Sequence, residues 1–99
     1  MNIYIKNFTK TDLRKGILTL SPKKMEALWK YRGEKIWIDD GNNDNKPYTL
    51  NNDKDYNLRF SGLKSWYEDR KIKPEMKIKI LFDEKELYQN LHVIHIEYV

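Results

Sequence analysis

Two short polar segments carry the side chains best suited to reading the edges of nucleobases. Arginine and lysine can donate to guanine O6 and N7, asparagine can pair with adenine through two hydrogen bonds, and aspartate can accept from cytosine N4. A solvated turn between strands has a similar composition, so residue types alone leave both interpretations open. The first segment comprises Lys10, Thr11, Asp12, Leu13, Arg14 and Lys15, and the second comprises Asn51, Asn52, Asp53, Lys54, Asp55, Tyr56, Asn57 and Arg59.

Positive charge is concentrated in the first third of the chain. Residues 1–35 hold nine basic and three acidic side chains, although the whole chain has a net charge of only +4. Such a basic region suits contact with a polyanion, and flexible lysines hold phosphates without reading sequence. We therefore expect Lys6, Lys23 and Lys24 to contact phosphates if the partner is a nucleic acid. A lysine-rich surface with no such partner is the alternative.

Two histidines and several acidic-x-lysine triplets are the other candidates for chemistry. His92 and His95 are three positions apart, and in a strand such residues point to opposite faces, so they cannot share a metal ion. Triplets such as Asp44-Asn45-Lys46 and Glu75-Met76-Lys77 have the spacing that nucleases use to hold Mg²⁺. A chain with 19 lysines and arginines also produces such triplets by chance. We predict a non-catalytic domain with no metal and no cofactor.

Length and composition indicate one small folded domain. Ninety-nine residues suit a single core, and three Trp, seven Tyr and three Phe supply large apolar area to fill it. The sequence shows no apolar run of the roughly 20 residues that a membrane span requires. The first residues lack the apolar stretch of a signal peptide. The absence of cysteine fits a reducing compartment, so we expect a cytoplasmic protein that does not contact membranes.

Alternating apolar residues predict seven strands, and apolar residues spaced three and four apart predict two short helices. We expect Ser21-Pro22 to begin the first helix and Ser61 to cap the second. A projecting polar loop should span residues 9–16, and Asp83-Glu84-Lys85-Glu86 should form a turn. Strands are predicted at residues 2–7, 17–20, 35–39, 47–50, 58–60, 76–82 and 87–99. The expected core includes Trp29, Leu63, Trp66, Ile78 and Ile80.

The order of these elements resembles the B3-like DNA-binding pseudobarrel. FTKTDLRKGILTLSPKKMEALW is similar to the first arm and helix entry of that family. KIWIDDGNNDNKPYTL is similar to its hairpin, and RFSGLKSWYEDRKIKPEMKIKI to its second helix and following strand. The family often has Gly-Asp after the Lys-Pro turn, where this chain has Glu75-Met76, so we expect a type I turn here. The resemblance implies a mainly β fold, an open seven-stranded barrel with two short helices.

The same resemblance implies a function. Members of the family grip double-stranded DNA with two loop arms that enter the major groove, and the two polar segments match the arms by position. In its bias toward lysine and asparagine, the chain resembles the bacterial branch of the family, which comprises recognition domains of restriction endonucleases. Residues 1–99 would then be one recognition domain at the N-terminal part of a longer chain, beside catalytic or motor domains of the same restriction system.

Two other classes of function stay open at the level of sequence. The first is a small barrel that binds RNA or single strands by stacking bases on exposed aromatic residues such as Tyr4, Trp37 or Tyr56. The second is a protein-interaction domain whose basic surface is incidental. Salt dependence separates nucleic-acid binding from the second class, and competition between duplex and single strand identifies the first.

Overall fold

Seven strands and three short helices make up this computed structural model, which describes residues 1–21, 23, 25–42 and 44–99. None of the helices in this part of the chain has the length and apolar character that crossing a membrane requires. The strands are β1 Asn2–Asn7, β2 Leu18–Leu20, β3 Lys35–Asp39, β4 Lys46–Asn52, β5 Leu58–Phe60, β6 Lys77–Tyr88 and β7 Leu91–Tyr98. The helices are α1 Lys10–Lys15, α2 Glu26–Trp29 and α3 Lys64–Asp69.

The strands form one curved sheet in the order β1-β6-β7-β3-β4-β5-β2. Strand β3 runs parallel to β7, and the other neighbouring pairs are antiparallel. The sheet curls into a nearly closed barrel around its apolar face. This confirms the prediction of a mainly β, seven-stranded open barrel, although the structure adds a third helix.

The apolar side chains whose alternation predicted the strands also form the core. Leu58 and Phe60 of β5 are fully buried, as are Ile78, Ile80 and Phe82 of β6. Helix α3 contributes Leu63, just before its first turn, together with Trp66 and Tyr67. Of the residues predicted for the core, Leu63, Trp66, Ile78 and Ile80 are buried, but Trp29 is only half-buried and packs against the core from outside.

The polar segment at residues 9–16 forms helix α1, so the prediction of a loop there was wrong. Thr9 Oγ1 accepts a hydrogen bond from the backbone N–H of Asp12 at 3.0 Å, and Asp12 Oδ2 accepts one from the N–H of Thr9 at 3.3 Å. This reciprocal arrangement is a capping box, which satisfies the free N–H groups of the first turn. Gly16 ends the helix in the left-handed conformation with φ +66°.

The predicted caps of the other two helices were also wrong. Helix α3 starts after Leu63, whose backbone N–H donates to the carbonyl of Gly16 at 2.8 Å, and Ser61 makes no capping bond. The C-terminal end of α1 therefore helps to hold the start of α3 in place. Helix α2 starts after Met25, also without a side-chain cap, and Ser21 only accepts a backbone bond from Met25 N–H at 3.1 Å. Pro22 lies outside the described residues.

Two turns differ from their predictions. Glu75 has φ +73°, and the N–H of Met76 donates to the carbonyl of Lys73 at 3.2 Å. This is the pattern of a type II turn, which favours glycine at the position of Glu75, rather than the expected type I turn. The predicted turn at residues 83–86 lies inside β6, where the register shifts. The hairpin instead turns at Gln89 and Asn90, both with positive φ.

An ion-pair network centred on Arg70 ties the β3–β4 turn to α3 and the C-terminal strand. The Arg70 guanidinium binds both oxygens of Asp40 and both oxygens of Asp44, and its Cζ lies 4.0 Å from the Trp66 ring centroid. Tyr98 Oη donates to Asp40 Oδ2 at 2.6 Å. The side chains of Arg70 and Asp40 are 7% and 0% exposed, so this pair belongs to the folded interior.

Candidate nucleic-acid interface

The two polar segments are attached at opposite ends of the short β2–β5 ladder. Leu18 pairs with Phe60 at one end, next to helix α1, and Leu20 pairs with Leu58 at the other end, where the 53–57 loop joins β5. The end residues of a three-residue ladder lie two residue steps, or about 7 Å, apart. The first arm, residues 9–16, and the second arm, residues 51–57, therefore flank this part of the sheet instead of touching each other. B-DNA has a major groove about 12 Å wide, a span of the same order.

The first arm divides into an inward and an outward side. Asp12 is buried and pairs with Lys6 Nζ at 3.1 Å, and both side chains are almost inaccessible to solvent. Leu13 packs against the core. Lys10, Arg14 and Lys15 are exposed, as is Thr11, and the three cations have no carboxylate within ion-pair distance among the described residues. Helix α1 thus presents three free positive charges on a fixed base.

The second arm is braced by one aspartate. Asp53 Oδ1 accepts backbone N–H bonds from Asp55 at 2.9 Å and from Asn57 at 3.0 Å. The N–H of Asp53 donates back to the carbonyl of Asn57 at 3.0 Å, which closes the loop. The hydrogen bond from the Asn57 backbone is the main reason that the pKa of Asp53 is lowered. The carboxylate therefore shapes the loop, which leaves Lys54 and Asp55 exposed at its tip.

Three polar side chains form a row across the sheet between the arms. Arg59 of β5 pairs with Thr19 of β2 on one side and with Asn51 of β4 on the other. The residues flanking Thr19 and Arg59 in β2 and β5 are buried, so alternation turns both side chains to the outer face. Arg59 is half-buried, and its Nε has no hydrogen-bond partner in the described structure. Sequence reasoning had selected Asn51 and Arg59 but missed Thr19.

An aromatic pair joins the second arm to helix α2. Tyr56 has φ +62° and is 67% exposed. Its ring centroid lies 6.3 Å from that of Trp29. Arg32 covers the Trp29 ring, with Cζ 4.6 Å from the centroid, and Arg32 Nη1 donates to the Trp29 carbonyl at 2.9 Å. Tyr56 was selected as an arm residue from the sequence, but its supports Trp29 and Arg32 were not.

The three lysines expected to contact phosphates differ in what the structure shows of them. Lys23 is exposed, whereas Lys6 is held by Asp12 and serves the base of the first arm in this conformation. Lys24 lies outside the described residues, so its assignment stays a prediction. Lys64, at the start of α3, lies directly against Gly16 of the first arm and is exposed, and it is a further cation that sequence reasoning did not select.

The two histidines lie in separate environments on opposite faces of β7. The His92 ring packs 4.0 Å from the Tyr31 ring centroid. His95 pairs instead with Glu86 at 2.7 Å and with Asp39 at 3.2 Å, in a cleft of the outer face. The described residues contain no group of three or more side chains arranged to hold a metal ion.

Comparison with known proteins connects this geometry with one fold. No protein-family model and no curated protein sequence matches the chain. Among solved structures, the Arabidopsis FUS3–DNA complex, which contains a plant B3 domain, is similar to the chain with a TM-score of 0.69. The alignment covers 96% of this chain and 93% of that chain at 15% sequence identity. The fold is a B3-like pseudobarrel.

The B3-like fold was expected from the order of elements, and the structural similarity confirms it. At 15% identity the similarity establishes the fold alone, and the complex with DNA is a property of FUS3. The structure of this chain itself shows two braced arms, a polar row between them and free cations on the first arm.

Proposed function

We propose that the chain binds double-stranded DNA in a sequence-specific manner, with its two arms entering the major groove on either side of the Thr19–Arg59–Asn51 row. The observation that carries this proposal is the position of the arms at opposite ends of the β2–β5 ladder. The ends of this ladder are about 7 Å apart and the arms lie beyond them, so the separation of the arms is of the same order as the width of the groove. The similarity to FUS3, whose structure is a complex with DNA, supports DNA as the partner.

The residue chemistry supports reading of bases in addition to phosphate contact. Arg14 on the first arm and Arg59 in the row have the planar fork that matches guanine, and Asn52 has the amide that matches adenine. Arg14 and Asn52 are exposed, and Arg59 is half-exposed on the outer face. Lys23 is a flexible point charge near α2 and suits a phosphate. The same surface therefore offers groups for specificity and groups for sequence-independent attraction.

Selection of a duplex from a randomised library tests the proposal directly. We expect enrichment of a short motif, with affinity that falls steeply as salt rises, because each phosphate contact releases counterions. With about five phosphate contacts, the slope of log K against log salt should be near −4 to −5. No enriched motif, or an affinity that is insensitive to salt, would contradict the proposal.

Single substitutions separate base reading from phosphate contact. Arg14→Ala, Asn52→Ala or Arg59→Ala should each cost about 1–3 kcal/mol on the selected duplex and much less on random duplex. Lys23→Ala should weaken both affinities alike and make the salt slope shallower by about one. Lys85→Ala is a matched control, because Lys85 is an exposed lysine of β6 outside both arms. Equal losses on both duplexes for all three arm variants would argue against base reading.

The alternative functions give different results in the same assays. An RNA-binding or single-strand-binding barrel would bind single strands in preference to duplex. A protein-interaction domain would show little response to salt in nucleic-acid titrations. Neither alternative explains why free cations and base-reading side chains flank one polar row, and we therefore favour duplex DNA.

A narrower proposal concerns the biological setting. We propose that the domain recognises targets for a cytoplasmic restriction system, beside catalytic or motor domains that lie elsewhere in the chain or in a partner subunit. Support for this setting comes from the sequence, namely its lysine and asparagine bias and its similarity to the bacterial branch. The test is whether the full-length protein, purified with its partners, cleaves DNA bearing the selected motif. Binding without cleavage or any associated nuclease would refute this setting and leave the DNA-binding proposal intact.

A further inference from the structure

The surface around Tyr56 is the apolar part of an otherwise polar interface. Among the described residues of the two arms, Tyr56 is the only large apolar side chain that is mainly exposed. The other exposed large apolar residues of the described chain lie at the N-terminus and in β1, in the β6–β7 hairpin and at the C-terminal end. The shallow depression bounded by Tyr56, Trp29, Lys23 and Glu26 offers almost wholly apolar surface. This depression is the apolar patch.

The patch is held in place from both sides. The 53–57 loop fixes the backbone of Tyr56, whose N–H donates to the carbonyl of Asp53 at 3.0 Å. The Trp29 ring supports the Tyr56 ring, and the Arg32 guanidinium covers Trp29. Since Tyr56 is 67% exposed, contact with Trp29 leaves most of its ring free. The ring is therefore positioned for an apolar partner that the described part of the chain does not supply.

The major groove offers one apolar group to such a ring. Every base edge there presents hydrogen-bond donors or acceptors, and thymine alone of the four standard bases adds a methyl group, at C5. A 5-methylcytosine carries a methyl group at the same position of its ring. If an exposed aromatic ring covered a donor or acceptor of a base, that polar group would lose its water without gaining a new hydrogen bond. Contact between the ring and a methyl group instead removes apolar surface of both partners from water.

We propose that the apolar patch is a specificity site that recognises the C5-methyl group of a pyrimidine in the target duplex. This inference rests on the proposed DNA binding and adds to it the chemical group that the second arm reads. Tyr56 makes the contact, and Trp29 positions its ring. The target site therefore contains a thymine at the position that the second arm reaches.

Replacing thymine by deoxyuracil tests the inference, because the change removes the methyl group and keeps the base pair and all its polar groups. Each thymine of the selected duplex is replaced in turn, and the dissociation constant is measured for the wild type and for Tyr56→Asn. Asparagine removes the ring but tolerates the positive φ of this position, so the loop keeps its shape. Tyr56→Phe, which keeps the ring, and Lys54→Ala, in the same arm, are the matched controls.

We expect deoxyuracil at one position to weaken wild-type binding about fourfold, the factor expected for one methyl-sized apolar group. Tyr56→Asn should bind the two duplexes equally at that position, whereas Tyr56→Phe and Lys54→Ala should keep the discrimination. Restoring the methyl by placing 5-methylcytosine there, opposite guanine, should recover part of the affinity that unmodified cytosine loses.

Several results would overturn the inference while leaving the proposed function standing. These are a selected site with no thymine on either strand, wild-type binding that is unaffected by every deoxyuracil replacement, or a methyl effect that Tyr56→Asn retains in full. A chain that binds no duplex at all would refute the proposed function and this inference together. If Tyr56→Asn is unfolded by thermal melting, Trp29→Leu replaces it, because it removes the support of the ring and should reduce the methyl effect.

Discussion

Replacing Arg70 by methionine should lower the free energy of unfolding by about 3–5 kcal/mol, because it leaves the Asp40 carboxylate buried without its cation. With the guanidinium in place the Asp40 side chain is 0% exposed, and the methionine thioether offers its carboxylate no hydrogen-bond donor. The Asp44 carboxylate is half-exposed, and the loss of its pairing adds little. Methionine retains an unbranched stem over the Trp66 ring, so the loss of packing is small by comparison.

The mechanism predicts that a second substitution rescues the first. Asp40→Asn removes the stranded charge, so the Arg70→Met/Asp40→Asn double variant should be more stable than Arg70→Met alone. Urea denaturation at pH 7, followed by far-UV circular dichroism, measures all four members of this cycle. Lys79→Met is the matched control, since Lys79 and Glu97 lie 4.0 Å apart on the surface. We expect it to change stability by less than about 1 kcal/mol.

The pH dependence has a definite sign. Burial alone would raise the pKa of Asp40, but hydrogen bonds from Arg70 and Tyr98 outweigh it and hold the pKa well below its usual range. Such a carboxylate stabilises the fold above the pKa of unfolded aspartate, about 3.9, and this contribution is lost as the pH falls further. The stability advantage of the wild type over Asp40→Asn should therefore begin to fall below about pH 4 and decrease progressively as the pH is lowered further.

The result that would refute this reasoning is specific. An Arg70→Met variant within about 1 kcal/mol of the wild type would show that the pair does not hold the β3–β4 turn against α3. A double variant that is less stable than Arg70→Met would show that the destabilisation does not come from an unpaired charge. Either result would show that pairing of Arg70 with Asp40 does not stabilise the fold in the way proposed.

Three further substitutions test individual contacts. Glu75→Gly should stabilise the fold by about 0.5–1 kcal/mol, since φ +73° is strained for glutamate; no gain in urea denaturation would contradict the type II turn. Gly16→Ala should cost more than Gly33→Ala, because a Cβ at Gly16 would lie 2.8 Å from the Lys64 backbone nitrogen, whereas Gly33 has nothing within 4 Å; equal losses of melting temperature would contradict the close approach. Trp66→Ala should cost about 3–5 kcal/mol through lost burial and a cavity, and an unchanged denaturation midpoint would refute its place in the core.

The strands were predictable because their signal is local. Strands β1 and β3 occupy the residues that alternation indicated, and β5 buries Leu58 and Phe60 as expected. Period-two alternation reports directly on which side chains face the core, and a barrel with one apolar face preserves that pattern. The long strand β6 was harder to delimit, because its outer half carries the charged run 83–86 across a register shift.

Helix starts were less predictable because their caps depend on distant contacts. Helix α3 has its first free N–H groups near the Gly16 carbonyl, which accepts from Leu63, and no sequence pattern around Ser61 contains that information. Helix α1 is different. Its Thr9-x-x-Asp12 capping box and Gly16 C-cap are visible in the sequence, and weighing them would have predicted a helix there.

Residues of the interface were foreseen in part for the same reason. Asn51, Tyr56 and Arg59 follow from their place in the second polar segment. Thr19 joins them only through strand pairing between β2 and β5, and Trp29 approaches Tyr56 only through the packing of α2. Pairings between distant segments thus decide which side chains share a surface, and these pairings carry little signal in a single sequence.

Aspartates in both arms raise an apparent conflict with a polyanionic partner. The structure resolves most of it, since Asp12 is buried against Lys6 and Asp53 holds the backbone N–H groups of its own loop. Two of the three arm aspartates therefore use their charge in contacts within the protein, and only Asp55 is exposed. Arms braced in this way have little conformational freedom to lose on binding, which lowers the entropic cost of a specific complex. In the proposed complex with DNA, the buried and braced aspartates would fix the position of the cations beside them.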